Sequence, residues 1–189
     1  MRIFITRHGQ TNWNVLKKIQ GQTDIELNDN GKMQAIEAGK VLKNEKIDLI
    51  ITSPLKRAKE TAEIINKNFN VSIIEDKRLM ERNFGEFEGT TKEERTKLKE
   101  SYPEINDIWN YNKNVTIDTV ETMQELFDRV YKFFDEIKEI YKEKDILIVT
   151  HGGTSLPIIC YLKKIPLNEV INKDVAKTLD NCEIMKIEI

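Results

Sequence analysis

Short apolar runs alternate with helical patterns along the chain. Strand-like runs occupy residues 1–6, 47–53, 71–76 and 145–150, and the closing CEIMKIEI alternates apolar and polar positions with a period of two. Residues 121–143 place apolar side chains three and four positions apart, which is typical of a long amphipathic helix. This alternation predicts one α/β domain in which helices flank a sheet, with the closing strand at an edge of that sheet.

Capping residues indicate three further helices. Asn28 is a suitable N-cap for a helix whose apolar residues keep helical spacing at Met33, Ile36 and Val41. Ser53-Pro54 would supply an N-cap and a proline at the first helical position, opening a helix through about residue 69. Thr154 would cap a helix to residue 164, which puts Pro157 in the first turn, where its missing N–H does little harm.

The segment at about 77–120 has no regular pattern apart from a short helix predicted around 91–100. We expect it to be a lid-like insertion over one end of the sheet, within a single domain that spans residues 1–189. Its aromatic residues are Phe84, Phe87, Tyr102, Trp109 and Tyr111. They would either line a pocket or form a small packed core of the lid, and the sequence leaves both interpretations open.

The charge composition of the chain bears on the ligands that it can bind. The chain has 30 lysine and arginine residues against 32 acidic ones, and the two signs are interleaved, which argues against nucleic-acid binding. An anionic ligand would therefore have to be bound by a few well-placed cations.

No apolar run approaches the roughly 20 residues that span a bilayer, and the N-terminus has no signal-peptide pattern, so we expect a cytoplasmic protein without membrane contact.

The two cysteines, Cys160 and Cys182, lack metal-binding or redox spacing. Two free thiols are the favoured interpretation because cytosolic proteins rarely hold disulfides, and a disulfide between the two is the alternative.

Polar residues follow three of the predicted strands. The first strand leads into Arg7-His8-Gly9, the second into Ser53-Pro54 and then Arg57, and a third into His151-Gly152-Gly153. Because ligands bind at the carboxyl ends of strands in such sheets, these side chains should converge on one site. Guanidinium groups bind phosphate oxygens in pairs, and glycines let backbone N–H groups approach an anion closely. The pattern therefore predicts a phosphate site.

Neighbouring arginines should keep His8 neutral by lowering its pKa, which leaves a ring nitrogen free to attack phosphorus and form a phosphohistidine. A metal site is the competing interpretation of two histidines. The flanking arginines would repel a cation, and no cluster of carboxylates or histidines at ligand spacing accompanies them, so we expect no metal.

A leaving alkoxide needs a proton, so an acid should lie across the phosphate from the nucleophile. The stretch LMERNFGEFEG offers Glu81, Glu86 and Glu88. Glu81 is closest to the preceding strand and is favoured by position, although spacing alone does not decide among the three.

Several motifs resemble the histidine phosphatase superfamily, also called phosphoglycerate mutase-like, in the family's own order. They are TRHGQTNWN, IQGQTDIELNDNGKMQA, DLIITSPLKRAKETAEII, LMERNFGEFEG and IVTHGGTS, which together extend the resemblance from residue 1 to about 162. The resemblance implies a three-layer α/β/α sandwich around a mostly parallel sheet with one antiparallel strand. It also implies that neither a metal nor an organic cofactor is needed.

The same resemblance assigns roles to individual positions. His8 would be the phosphorylated nucleophile, and Glu81 would be the proton donor that later activates water. The implied phosphate and substrate contacts are Arg7, Asn14, Gln20, Arg57, His151 and the backbone N–H of Gly152.

Within the superfamily the chain resembles broad-specificity and α-ribazole phosphatases, so we expect hydrolysis of small phosphorylated metabolites by a monomer or homodimer. Several α-ribazole relatives have an arginine just after the HGG motif, where this chain reads HGGTSLP, which weakens a role in cobalamin synthesis. The alternatives are a cofactor-dependent phosphoglycerate mutase, although the chain lacks that group's extra closing segments, and a non-catalytic phosphoester-binding protein.

Overall fold

The computed structural model describes residues 1–108, 110, 115–166 and 178–188. Within these residues the strands are β1 (Arg2–Arg7), β2 (Leu49–Thr52), β3 (Ile73–Glu75), β4 (Ile146–Thr150) and β5 (Ile184–Glu188). The α-helices are α1 (Asn12–Val15), α2 (Asp29–Leu42), α3 (Lys56–Asn66), α4 (Lys92–Lys97), α5 (Met123–Ile140) and α6 (Gly152–Lys163). Short 3-10 helices occupy Lys77–Leu79, Gly85–Phe87, Leu98–Glu100 and Ile105–Asp107.

The strands form one sheet in the order β3-β2-β4-β1-β5. Four of them are parallel, and β5 pairs antiparallel with β1, as the family resemblance implies, at the edge where the sequence pattern predicts the closing strand. The register aligns Arg7 with Thr150, and Thr52 with Val149, so β1, β4 and β2 end side by side. The residues after these three strands are therefore delivered to one edge of the sheet.

Helices cover both faces of the sheet, which confirms the predicted three-layer sandwich. Alternate strand residues such as Ile5 and Ile148 pack against α5 and α6, while Phe4 and Leu147 pack against α2 and α3. The apolar stripe predicted for α5 is its buried face, apart from exposed Ile140. None of the helices in the described part of the chain has both the length and the apolar character that crossing a bilayer requires.

The buried face of α2 differs from the one that its largest apolar residues suggest. Asn28 caps the helix as predicted, but Met33, Ile36 and Val41 are 56%, 40% and 71% exposed. The buried residues are Gly31, Ala35, Ala38, Gly39 and Leu42. Small side chains face inward because α2 lies very close to α3 and the residues after it: a Cβ on Gly39 would lie 2.5 Å from Nδ2 of Asn68.

Two predicted helix starts are wrong. Ser53 is not the N-cap of α3, which is Leu55, and the helix begins at Lys56; the Ser53 hydroxyl accepts the Leu55 N–H at 3.3 Å and also contacts His151. The carboxylate of Asp24 accepts the Lys56 N–H at 2.7 Å. Thr154 does not cap α6, since His151 is the N-cap and the helix begins at Gly152. Pro157 therefore lies in the second turn, where an N–H would otherwise donate to the carbonyl of residue 153.

The segment between β3 and α5 has a core of its own. Phe84 and Phe87 are buried there with Ile19, and the ring of Tyr102 meets Phe87 edge-on at 5.1 Å. The predicted short helix is present as α4, capped by Thr91, and a 3-10 turn continues it. This packing favours the lid-core interpretation for the described aromatics, whereas Trp109 and Tyr111 lie outside the described residues.

Both cysteines are free, as expected, and the alternative of a disulfide between them is wrong. Burial raises the pKa of the Cys160 thiol to about 11 and that of Cys182 to about 12. Neither thiol is therefore a ready nucleophile at neutral pH.

The packing of α2 predicts that substitutions of its large apolar residues are tolerated, whereas enlarging its small buried residues is destabilising. Met33→Gln and Val41→Gln should each change the free energy of unfolding by less than about 0.5 kcal/mol, because both side chains are exposed. Ala38→Leu should destabilise the protein by about 1–3 kcal/mol through overpacking against α3. Urea unfolding measures all three, and a larger effect of the two glutamine variants would contradict this packing.

Candidate active site

The carboxyl ends of β1, β2 and β4, together with the loops around them, border a cavity of about 410 Å³. The predicted site residues that line it are Arg7, His8, Asn14, Gln20, Arg57, Glu81 and Gly152. The remaining one, His151, is fully buried beside His8, with the two ring centres 5.2 Å apart. All eight positions are thus brought together, while their chemical roles stay predictions.

One ring nitrogen of His8 is fixed by a hydrogen bond, and the other has no hydrogen-bond partner within the described ranges of the chain. Its Nδ1 lies 2.7 Å from the carbonyl oxygen of Gly9. A carbonyl only accepts, so Nδ1 carries the proton and Nε2 presents a lone pair. Burial, followed by the charges of Arg57 and Arg7, holds the pKa of His8 well below its usual range. The imidazole is therefore neutral at physiological pH, as the sequence predicts.

The turn after β1 requires glycine. A Cβ on Gly9 would lie 2.4 Å from the carbonyl oxygen of Gly31, so the first turn of α2 approaches the backbone that follows His8. The Gly9 N–H also donates to Oγ1 of Thr61 on α3 at 3.0 Å. The backbone carbonyl that orients His8 is thus held by both helices on this face of the sheet.

Arg57 is buried and Arg7 is half-buried, and each has a buried Nε–H without a partner among the described residues. Arg57 donates to the carbonyls of Gly21 and Thr23 at 2.6 and 2.9 Å, and Arg7 donates to Leu179 at 3.2 Å, but both Nε atoms are left over. Burial lowers the pKa of Arg57 to about 10 and also lowers that of Arg7, so both stay charged at neutral pH. Buried donors without acceptors are unfavourable, and an anionic ligand would satisfy them.

His151 lies at the start of α6 with its Nε2 2.8 Å from the hydroxyl of Ser53, while its Nδ1 is buried without a partner among the described residues. Burial and the charges of Arg57 and Arg7 hold its pKa well below the usual range, so this ring is neutral too.

As the first residue of α6, Gly152 has an N–H that no carbonyl of its own helix can accept. A Cβ there would lie 3.3 Å from the Arg7 guanidinium carbon.

Glu81 is held against the first turn of α6. Its oxygens accept the N–H groups of Gly153 at 2.9 Å, Thr154 at 3.1 Å and Arg82 at 2.9 Å. A Cβ on Gly153 would lie 2.5 Å from Oε1 of Glu81, so the second glycine of the HGG motif makes room for this carboxyl group. The carboxyl is therefore fixed at the cavity wall by backbone donors.

The other two candidate acids lie elsewhere. Glu86 accepts the Tyr102 hydroxyl at 2.7 Å and does not line the cavity. Glu88 accepts the N–H groups of Gln22 at 2.9 Å and Thr23 at 2.7 Å, as well as the Thr23 hydroxyl at 2.5 Å. Only Glu81 of the three lines the cavity, which agrees with its favoured position in the sequence.

Glu88 instead organises the loop that positions Arg57. Gly21 has a φ of +49°, and a Cβ there would clash with the Glu88 carboxylate, so this turn requires glycine. The carbonyls on either side of the turn, at Gly21 and Thr23, are the acceptors of Arg57. The sequence did not predict this role because Glu88 is 66 residues from Gln22 and 65 residues from Thr23 in the chain.

Asn14 and Gln20 reach the cavity from the segment around α1. The Asn14 side-chain oxygen accepts the backbone N–H and hydroxyl of Thr11 at 3.0 and 3.1 Å, which directs its donor amide to other partners. Gln20 is buried, and its side-chain oxygen has no partner within the described residues. Both are placed to contact a ligand in the cavity.

The cavity lining also includes four residues that the sequence did not single out, Trp13, Lys17, Lys18 and Arg95, and it includes Phe84, one of the lid aromatics for which both a pocket and a lid-core role were predicted. They come from two distant segments, and none follows a strand. Their convergence depends on how the lid packs against α1, which no sequence motif encodes.

Comparison with known proteins identifies the class. Residues 3–189 match the family described as the histidine phosphatase superfamily (branch 1), and the chain therefore belongs to that superfamily. It is 43% identical to the uncharacterized phosphatase PhoE of Bacillus subtilis over 151 residues, which cover 80% of this chain and 72% of that protein.

Two further relatives indicate the breadth of the superfamily. The chain is 33% identical to a 2,3-bisphosphoglycerate-dependent phosphoglycerate mutase of Buchnera aphidicola, covering 93% of this chain and 89% of the relative. The crystal structure of the α-ribazole phosphatase from Shigella flexneri superposes with a TM-score of 0.87 at 25% identity, covering 100% of this chain and 91% of that one. The predicted fold and superfamily are thus confirmed.

The two buried neutral histidines predict acid sensitivity. Below about pH 6.5 the unfolded chain binds two protons that the folded protein does not, so the free energy of unfolding should fall as pH falls from 7.5 to 5. The slope should reach about 1.4 kcal/mol per pH unit for each histidine. Urea unfolding of the wild type and of a His8→Gln/His151→Gln variant measures it. An unchanged slope in the double variant would contradict the neutral imidazoles.

The loop contacts predict a role for Glu88 in phosphate affinity. Glu88→Ala should weaken binding of inorganic phosphate by about tenfold, equivalent to about 1.4 kcal/mol, because the acceptors of Arg57 lose their support. Glu86→Ala is the matched control, since this neighbouring carboxylate contacts only the lid, and it should change the affinity less than about twofold. Calorimetric titration with phosphate distinguishes them, and equal losses would refute the positioning role.

Proposed function

We propose that this chain is a phosphomonoester hydrolase that acts on small phosphorylated metabolites through a phosphohistidine on Nε2 of His8. The observation that supports it best is the pairing of a neutral imidazole, whose Nε2 has no hydrogen-bond partner among the described residues, with the guanidinium groups of Arg7 and Arg57, each of which has a buried Nε–H without a partner in that part of the chain. A phosphoryl group held by Arg7 and Arg57 would satisfy these donors and present phosphorus to the nucleophile.

In the first step, Nε2 attacks phosphorus and the bond from phosphorus to the ester oxygen breaks. Glu81 gives its proton to the departing alkoxide. Arg7, Arg57 and the donor amide of Asn14 would stabilise the charge on the non-bridging oxygens, together with the free N–H at the start of α6. Gln20 and the neutral His151 would complete the enclosure of the phosphoryl group.

In the second step, the Glu81 carboxylate removes a proton from water, and the water oxygen attacks phosphorus. The bond between phosphorus and Nε2 then breaks, inorganic phosphate leaves, and both His8 and Glu81 return to their starting states. Glu81 is suited to both steps because three backbone N–H groups hold it at the cavity wall.

Catalysis without a metal or cofactor is part of the proposal. The described residues that line the cavity include five basic side chains and one carboxyl group, and this excess of positive charge disfavours a cation. No group of three or more histidine, cysteine and acidic side chains within the described ranges is arranged to hold a metal ion. The charge of the site instead suits an anionic substrate.

A mutase is the second candidate, favoured by the phosphoglycerate mutase among the relatives. The same phosphohistidine would then return its phosphoryl group to a substrate hydroxyl instead of water. A non-catalytic phosphoester-binding protein is less favoured because the nucleophile, both arginines and the acid are all present at the cavity.

We further propose that residues 77–120 act as the lid of a single domain spanning residues 1–189. The separate core around Phe84 and Phe87 supports this role, since it packs the described residues of the segment together beside the cavity. A cytoplasmic location, a monomeric or homodimeric state and the absence of nucleic-acid binding remain parts of this proposal.

Leaving-group dependence tests the mechanism. His8→Ala should abolish turnover of both p-nitrophenyl phosphate and an alkyl phosphate. Glu81→Gln should reduce kcat/KM for the alkyl ester by about 10²–10⁴ and for the aryl ester far less, because nitrophenolate leaves without a proton. Steady-state assays in the presence of EDTA measure both.

Three outcomes would count against the proposal. Equal losses on both esters would remove Glu81 as the acid, and loss of activity in EDTA would indicate a metal. Transfer of the phosphoryl group to an added sugar phosphate without release of inorganic phosphate would favour the mutase.

A further inference from the structure

The main chain that leads to Glu81 is held by side chains from other elements. The Thr150 hydroxyl donates to the carbonyl of Leu79 at 2.9 Å, and the Thr154 hydroxyl donates to that of Met80 at 2.8 Å. The two threonines lie at the end of β4 and in the first turn of α6, so these bonds tie the segment to the sheet edge. The carbonyls on either side of these two are held from α5 instead.

Arg129 on α5 contacts both of the flanking carbonyls. Its Nη1 donates to the carbonyl of Arg78 at 2.5 Å, and its Nη2 donates to that of Glu81 at 3.3 Å. The side-chain amide of Gln22 also donates to the Glu81 carbonyl, at 3.1 Å. Because a guanidinium group is rigid and planar, it fixes the spacing of two acceptors in a way that a flexible ammonium group does not. One side chain thus holds both ends of the segment 78–81.

Glu121 fixes the guanidinium group of Arg129. Its two carboxylate oxygens accept Nε at 2.5 Å and Nη2 at 3.1 Å, which is a bidentate pairing. The same carboxylate accepts the N–H of Asn83 at 3.1 Å, two positions after Glu81. The Arg129 and Glu121 side chains are 19% and 13% exposed, so solvent screens this pair less than a surface ion pair. The pair therefore holds the main chain before and after Glu81.

The two carboxyl oxygens of Glu81 differ in the hydrogen bonds that they accept. Oε1 accepts the Arg82 N–H at 2.9 Å and both the N–H and the hydroxyl of Thr154, at 3.1 and 3.2 Å. Within the described ranges Oε2 accepts only the Gly153 N–H, at 2.9 Å. Oε2 is therefore the oxygen with a lone pair left for the acid proton. Which oxygen meets which donor depends on where the main chain places the side chain.

We propose that Arg129 is a positioning residue for Glu81: paired with Glu121, it fixes the main chain so that the carboxyl group meets its backbone donors and presents the proton on Oε2 to the leaving group. This inference rests on the proposed function. Arg129 is not among the described residues that line the cavity, so it contacts no reacting atom and acts through Glu81.

Leaving-group dependence tests this role. Arg129→Met should lower kcat/KM for an alkyl phosphate by about tenfold to a hundredfold, because a small displacement of a catalytic group is costly. The loss for p-nitrophenyl phosphate should stay within about threefold, since nitrophenolate leaves without a proton. Steady-state assays of both esters measure the ratio, which a merely destabilised enzyme would leave unchanged.

Arg129→Lys separates position from charge. The charge of Arg129 contributes to the low pKa of His151, and lysine retains that charge without spanning both carbonyls. The lysine variant should therefore show the same selective loss on the alkyl ester, reduced to between about threefold and tenfold. It is also the variant to measure if Arg129→Met does not fold. Full activity of Arg129→Lys on both esters would overturn the positioning role.

Arg78→Met is the matched control. Arg78 is 24% exposed and pairs with two carboxylates, Asp76 and Glu136, at 2.6 Å each, and its carbonyl remains available to Arg129 after the substitution. This control should affect both esters equally. Equal losses on both esters in Arg129→Met, or the same selective loss in the control, would contradict the proposal.

A double-mutant cycle shows whether Arg129 acts through Glu81. In a Glu81→Gln background, Arg129→Met should change kcat/KM for the alkyl ester by less than about twofold, because the acid that it positions is already absent. A further tenfold loss in that background would mean that Arg129 acts elsewhere, and the role would be refuted.

Hydrogen exchange separates this inference from the proposed function because it needs no turnover. The N–H groups of Gly153 and Thr154 donate to the Glu81 carboxyl group, so they should exchange about tenfold faster in Arg129→Met and within about twofold of the wild type in Arg78→Met. Unchanged exchange in Arg129→Met would overturn the positioning role even if the wild type hydrolyses both esters. Faster exchange, together with a wild type that turns over neither ester, would overturn the hydrolase and leave the positioning role standing.

Discussion

The hydrogen bond from Nδ1 of His8 to the carbonyl of Gly9 is the contact on which the site depends. It fixes the tautomer, while burial of the ring and then the charges of Arg57 and Arg7 hold its pKa low and keep it neutral, so Nε2, which has no partner among the described residues, is available as a nucleophile. Without that bond the ring could rotate or place its proton on the other nitrogen. The close contact of Gly9 with Gly31 holds the carbonyl in place, and the packing of α2 therefore determines chemistry at the end of β1.

Burying two guanidinium groups and two imidazoles at one sheet edge opposes folding, and the fold compensates for it with backbone acceptors. Arg57 obtains two carbonyls from the loop that Glu88 stabilises, and Arg7 obtains one from Leu179. The compensation is incomplete, since each arginine retains a buried N–H without a described partner. Such residual cost is typical of a site shaped for a ligand, because the bound anion supplies the missing acceptors.

The inner site could be predicted from sequence because parallel strands end together. His8 and His151 follow buried apolar runs, and the sheet order makes those runs neighbours. Glu81 could be favoured among the three glutamates because it is the closest of them to the end of β3. The N-cap of α6 could not be predicted, because nothing in the sequence distinguishes an N-cap at His151 from a further residue of the preceding strand. The small-residue face of α2 was missed because hydrophobicity identifies large apolar residues, whereas close helix packing selects alanine and glycine.

The cavity wall beside α1 and the lid shows where prediction fails and why relatives differ. Lys18 and Arg95 are 77 positions apart in the chain and line the same cavity because the lid core packs on Ile19, beside the turn that ends α1. No strand end or motif connects them. The residues at the strand ends must satisfy one phosphoryl group in every substrate, but the residues beside α1 and in the lid face whatever that group is attached to. Differences in substrate within such a superfamily are therefore expected to arise in α1 and the lid, whose packing can change without disturbing the histidine and arginines at the sheet.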